Sequence, residues 1–323
     1  MRNPSVKSIT LGTRGSELAL FQANQVARSI QSKFVGLSVN IKKITTSGDR
    51  ILDSPLARIG DKGLFVKEIE NELLDGAIDI AVHSGKDMPT ELPDGLELAA
   101  YGPREDPRDA FIGKARGLDE IPAGGKVGTS SLRRRSQLLS LRPDLEIVDI
   151  RGNVDTRIRK IEEMGLSGTI LAAAGIRRLG RESEAGFYFS DSDMIPAVGQ
   201  GVIVIEARTG DRAILDLLER ENHPESAAAV MAERALMKEL EGGCQVPIGG
   251  HALITGGRLT MHAYLGSLDG SRFVRDSIDG SWEKAAELGQ ALARRMYATG
   301  GSEILAQVRG EEEQGRVDPV NHP

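Results

Sequence analysis

The chain has 323 residues, of which 40% are hydrophobic, 27% charged and 4% aromatic; its formal charge is −6 and it holds one cysteine, Cys244. That length suits about two domains, or three, each able to bury a core. The composition excludes a disulfide within the chain, a multi-cysteine metal site and a stacking platform for nucleic acid, and no apolar run approaches the ~20 residues of a membrane span.

Apolar runs alternate with helical patterns along the chain. Ser8 to Gly12 predicts a short strand, and Ser16 to Lys33 a helix with Leu18, Phe21, Val26 and Ile30 near one face. Val39 and Ile41 alternate with polar neighbours, as in a strand. Gly63 to Leu74 reads as a helix stopped by Gly76, and Ile78 to Val82 as a buried strand. Gly102, Pro103 and Pro107 among charges mark a boundary near Tyr101 to Pro107. The alternation then repeats: strand Lys126 to Gly128, helix Ser131 to Leu141, strand Leu145 to Ile150, helix Val154 to Met164, strand Thr169 to Ala172 and strand Val202 to Glu206. This pattern argues for an α/β architecture with mostly parallel strands. A second boundary falls near Asn222 to Pro224. Helix Glu225 to Leu240, short strands around Ala252 and Met261 to Leu265, and helix Trp282 to Ala298 make a small α+β domain. The polar, acidic tail from Gly310 is expected to be mobile. Met1 to Ile9 has no apolar signal region, so the expected location is the cytoplasm.

Two strand-to-helix junctions are chemically alike. One is Gly12-Thr13-Arg14-Gly15-Ser16, and the other is Gly128-Thr129-Ser130-Ser131-Leu132-Arg133-Arg134. Helix N-termini attract anions through unpaired N–H groups, and guanidinium grips carboxylate or phosphate bidentately. The plainer reading is N-capping by Ser16 and Ser130 beside solvated arginines. Two such junctions, with Arg151 and Arg157 after another strand, favour a polyanionic ligand. Neither a P-loop nor G-x-G-x-x-G occurs at these turns. The run Arg133 to Arg135 is a weak argument for nucleic acid in an acidic chain.

His83-Ser84-Gly85-Lys86-Asp87 follows a strand, where α/β proteins place ligands. Asp87 suits a general acid or base, or a stabiliser of positive charge; alternatively it is a turn carboxylate paired with Lys86. His83 alone makes no metal site, and no zinc spacing is present. In Glu241-Gly242-Gly243-Cys244-Gln245-Val246-Pro247-Ile248-Gly249, glycines and a proline flank the thiol, which marks a loop cysteine rather than a core one.

From about Ile9 to Val308 the sequence resembles the porphobilinogen deaminase family. The matching segments are GTRGSELAL, GDRILDSPLARIGDKGLFVKEIE, AVHSGKDMP, REDPRDAF, VGTSSLRRR, RGNVDTR, IPAVGQG and EGGCQVPIG, in the family's order. The resemblance implies two similar α/β lobes, like those of class II periplasmic binding proteins, with a small α+β C-terminal domain. Domain 1 would be residues 1–101 and 201–221, domain 2 residues 102–200, domain 3 residues 222–310, and 311–323 a polar tail. It implies stepwise head-to-tail condensation of four porphobilinogen molecules into hydroxymethylbilane, with loss of ammonia. The cofactor would be a dipyrromethane held by a thioether at Cys244, with no metal, nucleotide, nucleic acid, membrane or obligate protein partner, in a monomer.

By motif position, the resemblance assigns substrate binding to Arg14, Ser16, Lys62, Lys86, Arg151, Arg157, Arg178 and Gln200. It assigns cofactor binding to Cys244, Ser84, Thr129, Ser130, Ser131, Arg133, Arg134 and Asn153, and catalysis to Asp87. Each pyrrole unit carries acetate and propionate, which gives arginines a reason to cluster in an acidic chain. Loss of ammonia leaves a cationic azafulvene that Asp87 can stabilise. One departure is Gly85, where the family usually has Met; glycine's wider φ/ψ freedom would loosen the loop carrying Asp87. The rival readings are a two-lobed solute-binding or sensor module and a nucleic-acid protein using Arg133 to Arg135. A pure binder needs neither Cys244 modified nor a catalytic Asp87, and a nucleic-acid protein would lose affinity steeply with salt.

Overall fold

The computed structural model describes residues 6–50, 63–240 and 246–317, with the backbone alone at 50 and 311–317. Strand β1 (Ser8–Arg14) runs parallel to β2 (Ser38–Ile44) and β3 (Ile80–Ser84). Ile9 and Leu11 on β1 are buried on one face of the sheet. Helix α1 (Glu17–Lys33) covers one face with Ala23, Val26 and Ile30; the short α2 (Ser47–Arg50) precedes α3 (Lys67–Leu74), which covers the other with Ile69 and Leu73. The buried stripe of α1 includes Gln22, while Phe21, predicted to face inward, is exposed. The predicted start of α3 at Gly63 gives way to Lys67, four residues later.

β4 (Leu96–Tyr101) ends the first stretch. The chain then crosses into a second sheet through β5 (Asp109–Gly113), β6 (Lys126–Gly128), α4 (Leu132–Leu141), β7 (Glu146–Val148), α5 (Val154–Glu163), β8 (Gly168–Ala172), α6 (Ala173–Arg178) and β9 (Ala185–Tyr188). It returns as β10 (Ile203–Arg208) and α7 (Arg212–Leu218). The strand orders are β2-β1-β3-β10-β4 and β7-β6-β8-β5-β9. In each, three parallel strands meet one that runs antiparallel to both its neighbours: β10 in the first sheet, β5 in the second. Four of the five strands in each sheet therefore run the same way, as the alternation predicts, and one reversed strand makes each sheet mixed. Each reversed strand enters from a crossing segment, so it runs against its neighbours.

The third sheet is antiparallel, β11 (Ile248–Thr255), β12 (Arg258–Gly266) and β13 (Phe273–Ser281), and packs on α8 (Pro224–Glu239), α9 (Ala285–Met296) and α10 (Ser302–Val317). Leu236, Met261, Leu265, Leu292, Met296 and Val308 form its core. The sequence pattern hides β13, because FVRDSIDGS presents few apolar residues. Trp282–Lys284 is a 3₁₀ turn, so the helix predicted from Trp282 begins at Ala285. The stretch expected as a mobile tail from Gly310 is helical to Val317. Buried Glu233 on α8 ties this unit to both crossings. It accepts from Arg104 Nη2 at 2.8 Å, the Gly199 amide at 2.7 Å and the Ala252 amide at 2.8 Å.

Beneath the end of β3 lie three buried titratable side chains. His83 Nε2 meets Glu206 Oε2 at 3.0 Å, and Glu70 and Glu206 each keep a buried oxygen without a hydrogen-bond partner among the described residues. Burial, then the Glu206 charge, push the Glu70 carboxyl up from 4.5 to about 7, with His83 opposing. Between those values the folded state holds a proton that the unfolded chain releases, so stability falls as pH rises through that window. Glu70→Gln removes the cost. Its thermal unfolding midpoint should exceed the parent's at about pH 8, and the gap should close at about pH 4. An equal gap at both pH values would show that Glu70 holds no extra proton.

Candidate active site

β1 delivers Arg14 to its carboxyl end, and Ser16 caps α1 by accepting from the Ala19 amide. A cavity lined by Arg14, Ser16, Gln22, Phe65, Ser84 and Asp87 opens there. Gln22 Nε2 donates to Ser84 Oγ at 2.9 Å. Arg14 Nη2 pairs with Asp49 at 2.5 Å, and its guanidinium carbon lies 4.2 Å from the centre of the Phe65 ring.

β3 ends in a 3₁₀ turn, Gly85–Asp87, which leaves Lys86 and Asp87 exposed. Gly85 itself is buried: its amide donates to the Val202 carbonyl at 2.8 Å, and a Cβ there would stand 2.9 Å from the Gly199 carbonyl oxygen. The turn carrying Asp87 is thus pinned by close backbone approach. The loosening expected from glycine does not follow, because neighbouring backbone restricts the position that the missing side chain frees.

The facing wall grows from β6. The Thr129 amide donates to the Val148 carbonyl at 2.9 Å, and Ser130 Oγ donates to the Ile150 carbonyl at 2.7 Å. Ser131, not Ser130, caps α4, accepting from the Arg134 amide. Asn153 caps α5, accepting from the Thr156 amide at 2.9 Å, and Arg157 Nε donates to the Gly152 carbonyl at 2.8 Å. Gly152 has φ +121°, a conformation suited to glycine, and a Cβ there would meet Thr156 at 2.6 Å.

Arg133 and Arg134 are buried around Asp109, which is fully buried at the start of β5. Arg133 Nη1 donates to Asp109 Oδ2 at 2.7 Å and to the Ile195 carbonyl at 2.8 Å. Arg134 donates to Asp109 Oδ1 from Nη2 at 2.7 Å and from Nε at 3.0 Å, and to the Ile170 carbonyl from Nη1 at 2.7 Å. Burial alone would raise the Asp109 carboxyl; the two guanidiniums outweigh it and hold the group well below the usual carboxylate range. Gln200 is 1% exposed and gives Nε2 to the Pro107 carbonyl at 2.6 Å and Asp109 Oδ1 at 3.1 Å. Its side chain thus joins the two crossings and has almost no surface for a ligand. Arg178 Nη2 donates to the Gly201 carbonyl at 2.7 Å.

Electrostatics joins the two walls. Lys86 is open to the cleft yet crowded by protein, and this loss of water lowers its ammonium to about 8. Arg134 and Arg157 add to the lowering; Asp87 and Asp109 oppose it. Burial likewise lowers Arg157 to about 10, with Arg134 and Arg151 adding and Asp87 opposing. Asp87 therefore stands in one field with Lys86, Arg134 and Arg157, the first two residues from one sheet and the arginines from the other. Such a set suits a ligand with several carboxylates. Among the described residues, no group of three His, Cys, Asp or Glu side chains could hold a metal ion. Lys62 and Cys244 lie outside the described residues.

Residues 9–216 match the family model described as porphobilinogen deaminase, dipyromethane cofactor binding domain, and residues 227–298 match porphobilinogen deaminase, C-terminal domain. The chain belongs to the porphobilinogen deaminase family. Curated members of the family similar to it include the porphobilinogen deaminases of Geobacter sulfurreducens, 50% identical over 95% of this chain and 97% of that relative, and of Trichlorobacter lovleyi, 51% identical over 95% and 98%. That of Syntrophomonas wolfei is 51% identical over 94% of this chain and 100% of its own. A solved structure, that of the probable amino-acid ABC transporter extracellular-binding protein ytmK of Bacillus subtilis, overlaps 67% of this chain and 90% of its own length at 11% identity and TM-score 0.39.

Sequence reasoning missed Asp109, Asp49, Gln22 and Phe65. Gln22 was legible as a polar residue on the inward stripe of α1. Asp109, inside REDPRDAF, shows its role only through contacts 24 and 25 residues away. Asp109→Asn should strand two buried guanidiniums, costing about 3–5 kcal/mol in urea unfolding. A loss below about 1 kcal/mol would mean that solvent screens the cluster as it does a surface pair.

Proposed function

We propose that this chain is a transferase that condenses four porphobilinogen molecules head to tail, releasing ammonia, into linear hydroxymethylbilane on a dipyrromethane primer attached to Cys244. One observation carries the reading: in a chain about half identical to porphobilinogen deaminases, exposed Asp87 shares a cleft field with Lys86, Arg134 and Arg157. The donor set fits the primer's carboxylates. Thr129, Ser130, Ser131, Arg133, Arg134, Asn153 and Ser84 would hold it. When bound, a dipyrromethane supplies a pyrrole carbon that accepts the first substrate unit.

The chain's own residues do the rest. Arg14, Ser16, Lys62, Lys86, Arg151, Arg157 and Arg178 bind substrate acetate and propionate groups through charge-assisted hydrogen bonds. Gln200 acts behind them, holding the crossings at Asp109. Asp87 accepts the pyrrole N–H and offsets the positive charge that develops on the substrate as its C–N bond breaks. The same carboxylate can carry a proton between the accepting pyrrole carbon, which loses its hydrogen as the new C–C bond forms, and the nitrogen that departs from the substrate methylene. The units that act would be residues 1–101 with 201–221, residues 102–200, and the third sheet with its helices from 222. On this reading the enzyme is a cytoplasmic monomer that works without nucleic acid or membrane.

Above about 8, Lys86 loses its charge and part of its grip on a carboxylate. The KM for porphobilinogen should therefore rise from about pH 7 to about pH 9, and Lys86→Arg, charged throughout, should flatten the rise. An identical rise in both proteins would assign the titration elsewhere.

Denaturing mass spectrometry tests the reaction itself. The purified protein should exceed its sequence mass by one dipyrromethane. Brief exposure to porphobilinogen should add equal steps, each one substrate less ammonia, ending at four. Cys244→Ser should lose the baseline increment, and Asp87→Asn should keep it while elongation slows by about 10²–10⁴-fold. Fully active protein at the bare sequence mass would defeat the anchored-primer reading.

A further inference from the structure

Arg14 is held more closely than anion binding alone requires. Asp49, on α2, takes its Nη2 on Oδ1 at 2.5 Å and its Nε on Oδ1 and Oδ2 at 3.2 and 3.3 Å. Asp49 is itself anchored: Oδ2 accepts from the Thr46 hydroxyl at 2.8 Å and the Thr46 amide at 3.3 Å. The Phe65 ring covers one face of the guanidinium at 4.2 Å. Arg14 is thus fixed along one edge and over one face.

A guanidinium has two forks able to meet a carboxylate, the side fork of Nε with Nη2 and the end fork of Nη1 with Nη2. Asp49 occupies the side fork. Nη1 of the end fork has no partner among the described residues, and Arg14 lines the same cavity as Ser84 and Asp87. We propose that Asp49 is a positioning residue, which holds Arg14 by the side fork so that the end fork meets a substrate carboxylate. This rests on the function proposed above. The Thr46 bonds favour a built support over a stand-in for the ligand, because they fix Asp49 independently of Arg14. Pairing also neutralises Arg14, so this subsite would grip by aimed hydrogen bonds, whereas the Arg134 and Arg157 side retains net positive charge.

The test compares the parent holoenzyme with Asp49→Asn and Asp49→Ala. Steady-state kinetics give KM and kcat for porphobilinogen, and peptide mass mapping follows labelling of Arg14 by phenylglyoxal with and without porphobilinogen. Loss of a charge-assisted aim should raise KM about tenfold in Asp49→Ala. Asp49→Asn, which keeps one acceptor, should fall between it and the parent, with kcat changed less than about threefold in both. Porphobilinogen should protect Arg14 from labelling in the parent and much less in Asp49→Ala. A lower KM in the variants would mean that Asp49 blocks Arg14 and would overturn the proposal. So would unchanged KM and protection, whatever happens to the unfolding midpoint. If Asp49→Ala fails to fold, the isosteric Asp49→Asn carries the test alone. A parent that forms no hydroxymethylbilane would refute the proposed function instead.

Discussion

The carboxylate of Asp109 is the fixed point of the structure. It is fully buried and receives Arg133, Arg134 and Gln200. Charges so placed are costly unless they are paired and hydrogen-bonded on most sides. This network meets that condition with acceptors from three separate stretches: Asp109 at the head of β5, the Ile170 carbonyl on β8 and the Ile195 carbonyl in the second crossing. Gln200, from that same crossing, reaches back to Pro107 in the first. One anion thereby registers both connections between the sheets against the start of α4.

The arithmetic of that cluster shapes the cleft. Two guanidiniums share one buried carboxylate, so positive charge remains. Lys86 and Arg157 both feel it, since Arg134 lowers the pKa of each. Cations that depress one another are ready for an anion, because binding one relieves repulsion already present. The site's polarity thus originates behind its surface, in side chains that have little surface of their own.

This division explains what could be read in the sequence. The junctions at Arg14 and Arg134 were legible because a strand end, a hydroxyl cap and an arginine sit within a few residues of one another. The cap itself was misplaced by one residue, from Ser131 to Ser130, since adjacent serines offer the same chemistry and only backbone direction separates them. The reversed strands β5 and β10 were not legible: local periodicity marks a strand but carries no information about its neighbours' direction. Asp109 and Asp49 were missed for the same reason. A carboxylate's role is set by the partners it meets, and for these two the partners lie 24 and 35 residues away.

Asp87 and Asp109 carry the same charge and receive opposite treatment. Asp109 is enclosed and its oxygens are engaged by two arginines and a glutamine, which suits a group that must never change. Asp87 is exposed on a three-residue turn, in the field of cations contributed mainly by the other sheet. Its freedom to meet a ligand depends on a rigid seat, and the second crossing supplies one. Gly85 hangs from the Val202 carbonyl, and Gly199 approaches it so closely that a Cβ on Gly199 would stand 2.7 Å from the Gly85 carbonyl carbon. The segment that spans the two sheets is therefore also the surface on which the Asp87 turn rests. Any shift of one sheet against the other through that segment would be felt at Asp87, while Glu233 and Gln200 resist such a shift from behind.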